Sequence, residues 1–111
     1  MEIKNAGRIF EVTAEELAKG FKQCKLVDVR SLEEFEGELS HIPGAILATL
    51  GEELEEFLES YPDKSEQLIF ICRRGGRSEL AALQAADKGF TKAVNMLGGM
   101  VEWNEKGFPV V

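Results

Sequence analysis

The sequence predicts an α/β fold, a parallel sheet of five strands covered by helices, and three observations carry that prediction. Short β-prone runs alternate with helical patterns from one end of the chain to the other, with no repeat, linker or low-complexity stretch; strands separated by helical crossovers pair in parallel. Two capping boxes, Thr13-Ala14-Glu15-Glu16 and Ser31-Leu32-Glu33-Glu34, mark helix starts directly after strand candidates. The run Leu68-Ile69-Phe70-Ile71 is apolar on both of its alternating faces, which places it at the centre of a sheet with cover on both sides.

Ile9 to Val12 reads as the first strand, and the Thr13 box opens a helix running to about Phe21. Lys25 to Val29 is the second strand, and the Ser31 box opens a short helix after it. Ile42-Pro43-Gly44 has proline and glycine where a type II turn prefers them, and Ala45 to Leu47 follows as a buried strand. Leu54, Phe57 and Leu58 fall at helical spacing between Glu52 and Glu59, with Tyr61-Pro62-Asp63 as the stop. Beyond the central strand, Ser78 to Lys88 is an alanine-rich helix with Leu80 and Leu83 one turn apart and Gly89 as its left-handed terminator. Ala93 to Met96 is the fifth strand, and Met100, Val101 and Trp103 give a last short helix its packing face.

A chain of 111 residues that is 44% apolar suits one domain with one core, spanning residues 1–111. Thirteen basic residues against twenty acidic ones give a net charge of -7, which repels phosphate backbones and acidic lipid and argues against nucleic acid or a membrane as partner. The first residues lack a basic region followed by an apolar stretch, and no run approaches the roughly 18 apolar residues of a span. The expected location is therefore the cytoplasm. Two cysteines and one histidine are too few for a disulfide framework or a four-ligand zinc site, so neither a metal nor another cofactor is expected.

The chemistry concentrates between the central strand and the helix after it, in Cys72-Arg73-Arg74-Gly75-Gly76-Arg77-Ser78. Gly75 and Gly76 can turn successive amides inward, the helix start adds its positive end, and three arginines crowd where they would repel one another without an anion to gather round. Those fields favour the Cys72 thiolate, the form that attacks sulfur or phosphorus. The position also follows a parallel strand's carboxyl end, where ligands bind in open α/β sheets. Cys24 has no glycine loop and no capped helix after it, so its expected role is packing or surface exposure. His41, in the turn before Pro43, reads as a structural hydrogen-bonding residue, because a thiolate ionised by its own loop needs no base. The carboxylates of the stretch from Glu52 to Glu59 read as a solvated face.

In order along the chain, these residues resemble the rhodanese family of single-domain thiosulfate sulfurtransferases. Asp28-Val29-Arg30 with Glu34-Phe35 is similar to its D-x-R and E-[FY] elements, and His41-Ile42-Pro43-Gly44-Ala45 to its H-I-P-G-A turn. Cys72 to Ser78 fits its C-x-x-G-x-R-S loop, and Leu97-Gly98-Gly99 with Trp103 its L-x-G-G-x-x-x-W close. Together they cover residues from about 8 to 108. Ser40 stands where the family commonly has glycine. The resemblance implies a three-layer α/β sandwich, with five parallel strands and helices on both faces. It implies Cys72 as nucleophile, taking sulfane sulfur from thiosulfate or a similar small anion as a persulfide and passing it to cyanide or a thiol. The amides from Arg73 to Ser78 would hold the persulfide, Arg77 would close the loop, Asp28 would brace it, and Arg73 would help bind the donor; Arg74 is not fixed by the motif. The alternative is a carrier that exchanges its persulfide with a protein donor or acceptor and turns over small molecules little. The family's phosphatase relatives have five residues between cysteine and arginine where this chain has four, a narrower cradle that favours a single sulfur anion over a phosphate.

Overall fold

The computed structural model describes residues 1–111. Six strands, β1 (Lys4–Asn5), β2 (Phe10–Thr13), β3 (Leu26–Asp28), β4 (Ile46–Leu47), β5 (Leu68–Ile71) and β6 (Ala93–Leu97), form one sheet in the order β1-β2-β6-β5-β3-β4. The five expected strands are all present and all parallel. The sheet is nevertheless mixed, because β1 adds an antiparallel edge through the pairs Lys4 with Glu11 and Asn5 with Phe10. This edge arises from the tight turn closed by the Ala6 amide on the Ile9 carbonyl, 2.9 Å.

The apolar residues of β5 part to opposite faces, as period-2 geometry requires. Leu68, Phe70 and then Cys72 join Leu54 and Leu58 of α3 (Glu52–Ser60) and Ala81, Ala82 and Ala85 of α4 (Gly76–Asp87). Ile69 and Ile71 join Leu17 of α1 (Ala14–Ala18) and Met100 and Trp103 of α5 (Gly99–Glu105) on the other face. The result is a three-layer sandwich, with α3 and α4 on one side of the sheet and α1 and α5 on the other.

Local chemistry explains where elements depart from expectation. The Thr13 hydroxyl accepts from the Glu16 amide, but the Glu16 carboxylate goes to Lys19 and the Glu2 amide instead of returning to the cap. The box is half made, α1 stops at Ala18, and Phe21–Gln23 form a separate 3-10 turn. At Ser31 both halves are present, opening α2 (Leu32–Phe35). The turn at Ile42 closes as expected, with the Ala45 amide 3.0 Å from the Ile42 carbonyl. The strand after it is not buried, since β4 lies at the sheet's edge and Ile46 is 39% exposed. Helix α4 begins at Gly76, two residues before the expected start, and packs through its alanines. Small side chains let it lie close on the sheet and leave Leu80 57% exposed.

Candidate functional site

Because β5 is central and ends at Ile71, Cys72 emerges at the sheet's carboxyl end with its sulfur on the α3 and α4 side, and it is only 1% exposed. The chain then turns sharply through Gly75, whose φ of +111° lies in the left-handed region that side chains avoid. That turn brings the Gly75 amide to 3.0 Å from the Cys72 Sγ. Gly76 does not share the requirement: its φ is ordinary and a Cβ there would meet open space. Only one of the two glycines expected to shape the loop does so.

The first two carbonyls of the loop, those of Cys72 and Arg73, face α5. The Met100 amide donates to the Cys72 carbonyl at 2.9 Å and the Val101 amide to the Arg73 carbonyl at 3.0 Å. Two otherwise unpaired amides of the α5 N-terminus are thereby satisfied, and the peptide units are fixed with their N–H groups free to face the cysteine. The close approach demands glycine at position 99, where φ is +59° and a Cβ would lie 2.3 Å from the Arg73 carbonyl oxygen. The Leu97-Gly98-Gly99 element thus supports the cysteine loop from below, a role that strand and helix patterns give no reason to assign.

Burial pushes the Cys72 thiol up, but the Ser78 hydroxyl and the amides of Ser78, Gly75 and Arg74 outweigh it and hold it below the usual range. Ser78 is itself buried, with Oγ 3.2 Å from Sγ. Cys24 contrasts with it throughout. Its half-buried sulfur donates to the Gly20 carbonyl at 3.4 Å, and burial raises its thiol.

The charged residues divide differently from expectation. The Arg77 guanidinium forms a bidentate pair with Glu34 of α2, at 2.8 and 2.9 Å. That pair holds the Glu34 carboxyl down at about 2, against the opposing effect of burial. Asp28 does not touch the loop. Its carboxylate is taken by buried Arg30, whose Nε and Nη2 lie 2.9 and 2.8 Å away. Arg30 also donates to the carbonyls of Glu34 and Ser40. Any brace from Asp28 is therefore indirect, running through Arg30 to α2 and from Glu34 to Arg77. Arg73 and Arg74 are exposed, and Arg73 borders a shallow cleft shared with Glu33, Glu34 and Glu38. His41 is occupied with Phe35, stacked on its ring at 3.6 Å with Nδ1 2.8 Å from its carbonyl oxygen. Among the residues that contact the loop, pattern reading misses Asn95, a polar residue buried in β6 that bonds both Ser78 and the Gly75 carbonyl. Its one visible signal is an amide side chain in the middle of the apolar run Ala93-Val94-Asn95-Met96.

The Rhodanese-like domain family matches residues 13–106. A Bacillus subtilis protein named "Putative sulfur carrier protein YrkF" is 34% identical over 110 residues, covering 93% of this chain; the chain spans about half of that relative's length, 55%. "Putative sulfurtransferase YtwF", also from Bacillus subtilis, is 34% identical over 109 residues and 98% of each chain. Among solved structures, a rhodanese-like domain protein from Staphylococcus aureus superposes with a TM-score of 0.76 at 29% identity, covering 91% of this chain and 97% of its own.

Proposed function

The chain belongs to the rhodanese-like family of sulfurtransferases and sulfur carriers, and from that premise we propose that Cys72 carries sulfane sulfur as a persulfide, taken from thiosulfate or a similar small anion. The observation that carries this reading is the polarity of the loop. The Gly75 amide turns toward a buried sulfur while the Cys72 and Arg73 carbonyls are tied to α5, an environment suited to negative charge on sulfur. In the first step the Cys72 thiolate attacks the outer sulfur of thiosulfate. The S–S bond breaks, sulfite leaves with its electron pair, and the charge comes to rest on the outer sulfur of Cys72–S–S⁻. In the second step cyanide or a thiolate attacks that outer sulfur, and Cys72 departs as thiolate.

The amides of Arg74, Gly75 and Ser78 support the charge in both thiolate and persulfide. Arg73, exposed at the mouth, draws in the anion, while Arg77 fixes α4 against α2 through Glu34. Outside the loop ten basic residues face twenty acidic ones, so attraction acts only within about a Debye length, ~8 Å at physiological salt. Four residues between Cys72 and Arg77 favour sulfur over phosphate esters, the proposed location is the cytoplasm, and neither step as written calls for a metal or cofactor.

The carrier reading is favoured by the YrkF likeness. In it the same persulfide is loaded by a protein donor such as a cysteine desulfurase and delivered to one protein acceptor. Steady-state turnover of thiosulfate and cyanide, set beside persulfide transfer from a protein donor, separates the two. Turnover exceeding protein-to-protein transfer supports the enzyme, the reverse order supports the carrier, and no sulfur on Cys72 under either condition refutes both.

A further inference from the structure

Asn95 has a fixed orientation and a proton budget that constrain the chemistry of Cys72. It is 2% exposed in the middle of β6, and its Nδ2 lies 3.3 Å from the Gly75 carbonyl oxygen. A carbonyl can only accept, so the amide nitrogen must face Gly75 and Oδ1 must face Ser78. Ser78 Oγ is 2.5 Å from that Oδ1. An amide oxygen also only accepts, so the single hydroxyl proton of Ser78 lies between them. What Ser78 then presents to Cys72, 3.2 Å away, is a lone pair. The directions agree only one way: the thiol S–H donates to Ser78, Ser78 to Asn95, and Asn95 to Gly75. A thiolate has no proton to give. For Ser78 to stabilise it, the hydroxyl must rotate onto Sγ and leave a buried amide oxygen without a donor, a cost comparable to a lost hydrogen bond.

We propose that Asn95 is a positioning residue that makes the Ser78 hydroxyl a two-position switch, turned to Asn95 when Cys72 is a thiol or carries an outer sulfur, and turned to Sγ when Cys72 is a free thiolate. In the persulfide the inner sulfur is neutral and the charge sits on the outer atom among the loop amides, so Ser78 keeps its bond to Asn95. The device therefore disfavours the empty thiolate relative to the loaded state. The charged groups around the loop are Arg73, Arg74 and Arg77, Glu79 in the first turn of α4, Glu34 of α2, the Asp28–Arg30 pair and Glu102 of α5. None of them hydrogen-bonds to the side chain of Ser78 or Asn95, so substitutions at those two positions leave them in place.

The inference rests on Cys72 as the reactive sulfur but on no particular donor, and it is tested without one. Thiolate absorbance of Cys72 is titrated in a Cys24→Ser background for four proteins: the parent, Asn95→Leu, Ser78→Ala and the double variant. Ser78→Ala should raise the midpoint. Asn95→Leu should lower it by about half to one pH unit where Ser78 is present, the size expected for one released hydrogen bond. That lowering should vanish where Ser78 is absent. The double-variant comparison removes any effect of Asn95 on loop shape, which acts with or without the hydroxyl. Equal shifts in both backgrounds would overturn the proposal. Should Asn95→Leu fail to fold, Asn95→Ala carries the same comparison. The unsubstituted protein gives an independent answer: the side-chain carbonyl carbon of Asn95 should shift by NMR as Cys72 titrates, and a pH-invariant signal refutes the switch. A protein unable to transfer sulfur would still give a result here, so failure of this proposal and failure of the sulfur-transfer reading are distinguishable.

Discussion

The two cysteines sit at opposite ends of strands in the same sheet, Cys24 half-buried and Cys72 buried, and the backbone around them has opposite polarity. Cys24, before β3, meets the Gly20 carbonyl, and burial is left to push its thiol up. Cys72, after β5, meets amides, which more than offset a deeper burial. Burial pushes both thiols up, and the direction of the nearest peptide units decides whether the net shift is upward or downward. That direction is set by distant residues, since the Cys72 loop is held with its carbonyls outward by Met100 and Val101 and made compact by Gly75.

The largest expected effect separates the cysteines outright. Cys72→Ser should abolish sulfur loading, and Cys24→Ser should retain it within about twofold, because the second thiol contacts no part of the loop and a surface-like exchange is near neutral. Mass spectrometry of peptides after thiosulfate treatment reads this directly, and an added sulfur found only on Cys24 would reverse the assignment. Titrating thiolate absorbance in the same two variants sharpens the contrast. The midpoint of Cys72 should lie below that of an ordinary thiol and that of Cys24 above it, following the two directions of shift.

The next largest effect tests whether the support beneath the loop is what matters. Gly99→Ala forces a Cβ against the Arg73 carbonyl, so either the loop or α5 must move. The expected result is a loss of about 2–4 kcal/mol in unfolding free energy, from overpacking together with a disfavoured φ, and a Cys72 midpoint raised toward that of Cys24. Gly76→Ala is the control within the loop, where a Cβ meets open space. It should keep activity and gain a few tenths of a kcal/mol in helix propensity. Loss of activity there would show that both glycines shape the cradle.

How much of this was legible in the sequence depended on whether a residue's role was local. Ser31 opens a helix because its partner is three residues away, and Leu68 to Ile71 announce a central strand because burial on both faces leaves no polar position. The cysteine loop was legible for the same reason, with its glycines, arginines and following helix contiguous. The antiparallel β1 was not, being two polar residues paired only through a turn. The alanine content of α4 was legible but its packing face was not, because close helix–sheet contact selects Ala81, Ala82 and Ala85 and leaves the larger Leu80 outside. The partners of Asp28 and Arg77 needed the tertiary structure. Arg30 is only two residues from Asp28 but could have turned elsewhere, and Glu34 lies 43 residues from Arg77.

A smaller effect comes from that last pair, which joins the loop's helix to α2. The Glu34 carboxyl is held near 2 by Arg77, so its pKa is depressed on folding. A group of this kind contributes stability that is present above its unfolded value, near 4.5, and is lost as pH falls toward 2. Both side chains are partly exposed, which reduces the contribution to about 1 kcal/mol. Arg77→Ala should accordingly narrow the loss of stability between pH 4.5 and pH 2, measured by denaturant unfolding at several pH values. An unchanged acid slope would mean that the pair contributes nothing in solution.

The smallest effect is also the cleanest separation of scaffold from cradle. Ser40 holds a φ of +53°, the one non-glycine residue in the left-handed region. Its carbonyl accepts from Arg30 at 2.7 Å, so the strained conformation is retained to complete the bonding of a buried guanidinium. Ser40→Gly relieves the steric penalty, about 1–2 kcal/mol for a side chain in this region, and gives back part of it through the greater freedom of glycine in the unfolded chain. The net expectation is a gain of about 0.5–1 kcal/mol, or a few degrees in thermal midpoint for a chain of this size. Because the Ser40 contact reaches Arg30 and not the amides around Sγ, the Cys72 titration should stay where it was. A shift in that titration on Ser40→Gly would show that the Asp28–Arg30 pair reaches the sulfur, and the contrast between the two cysteines would then owe something to charge on the far side of α2 as well as to the peptide units beside them.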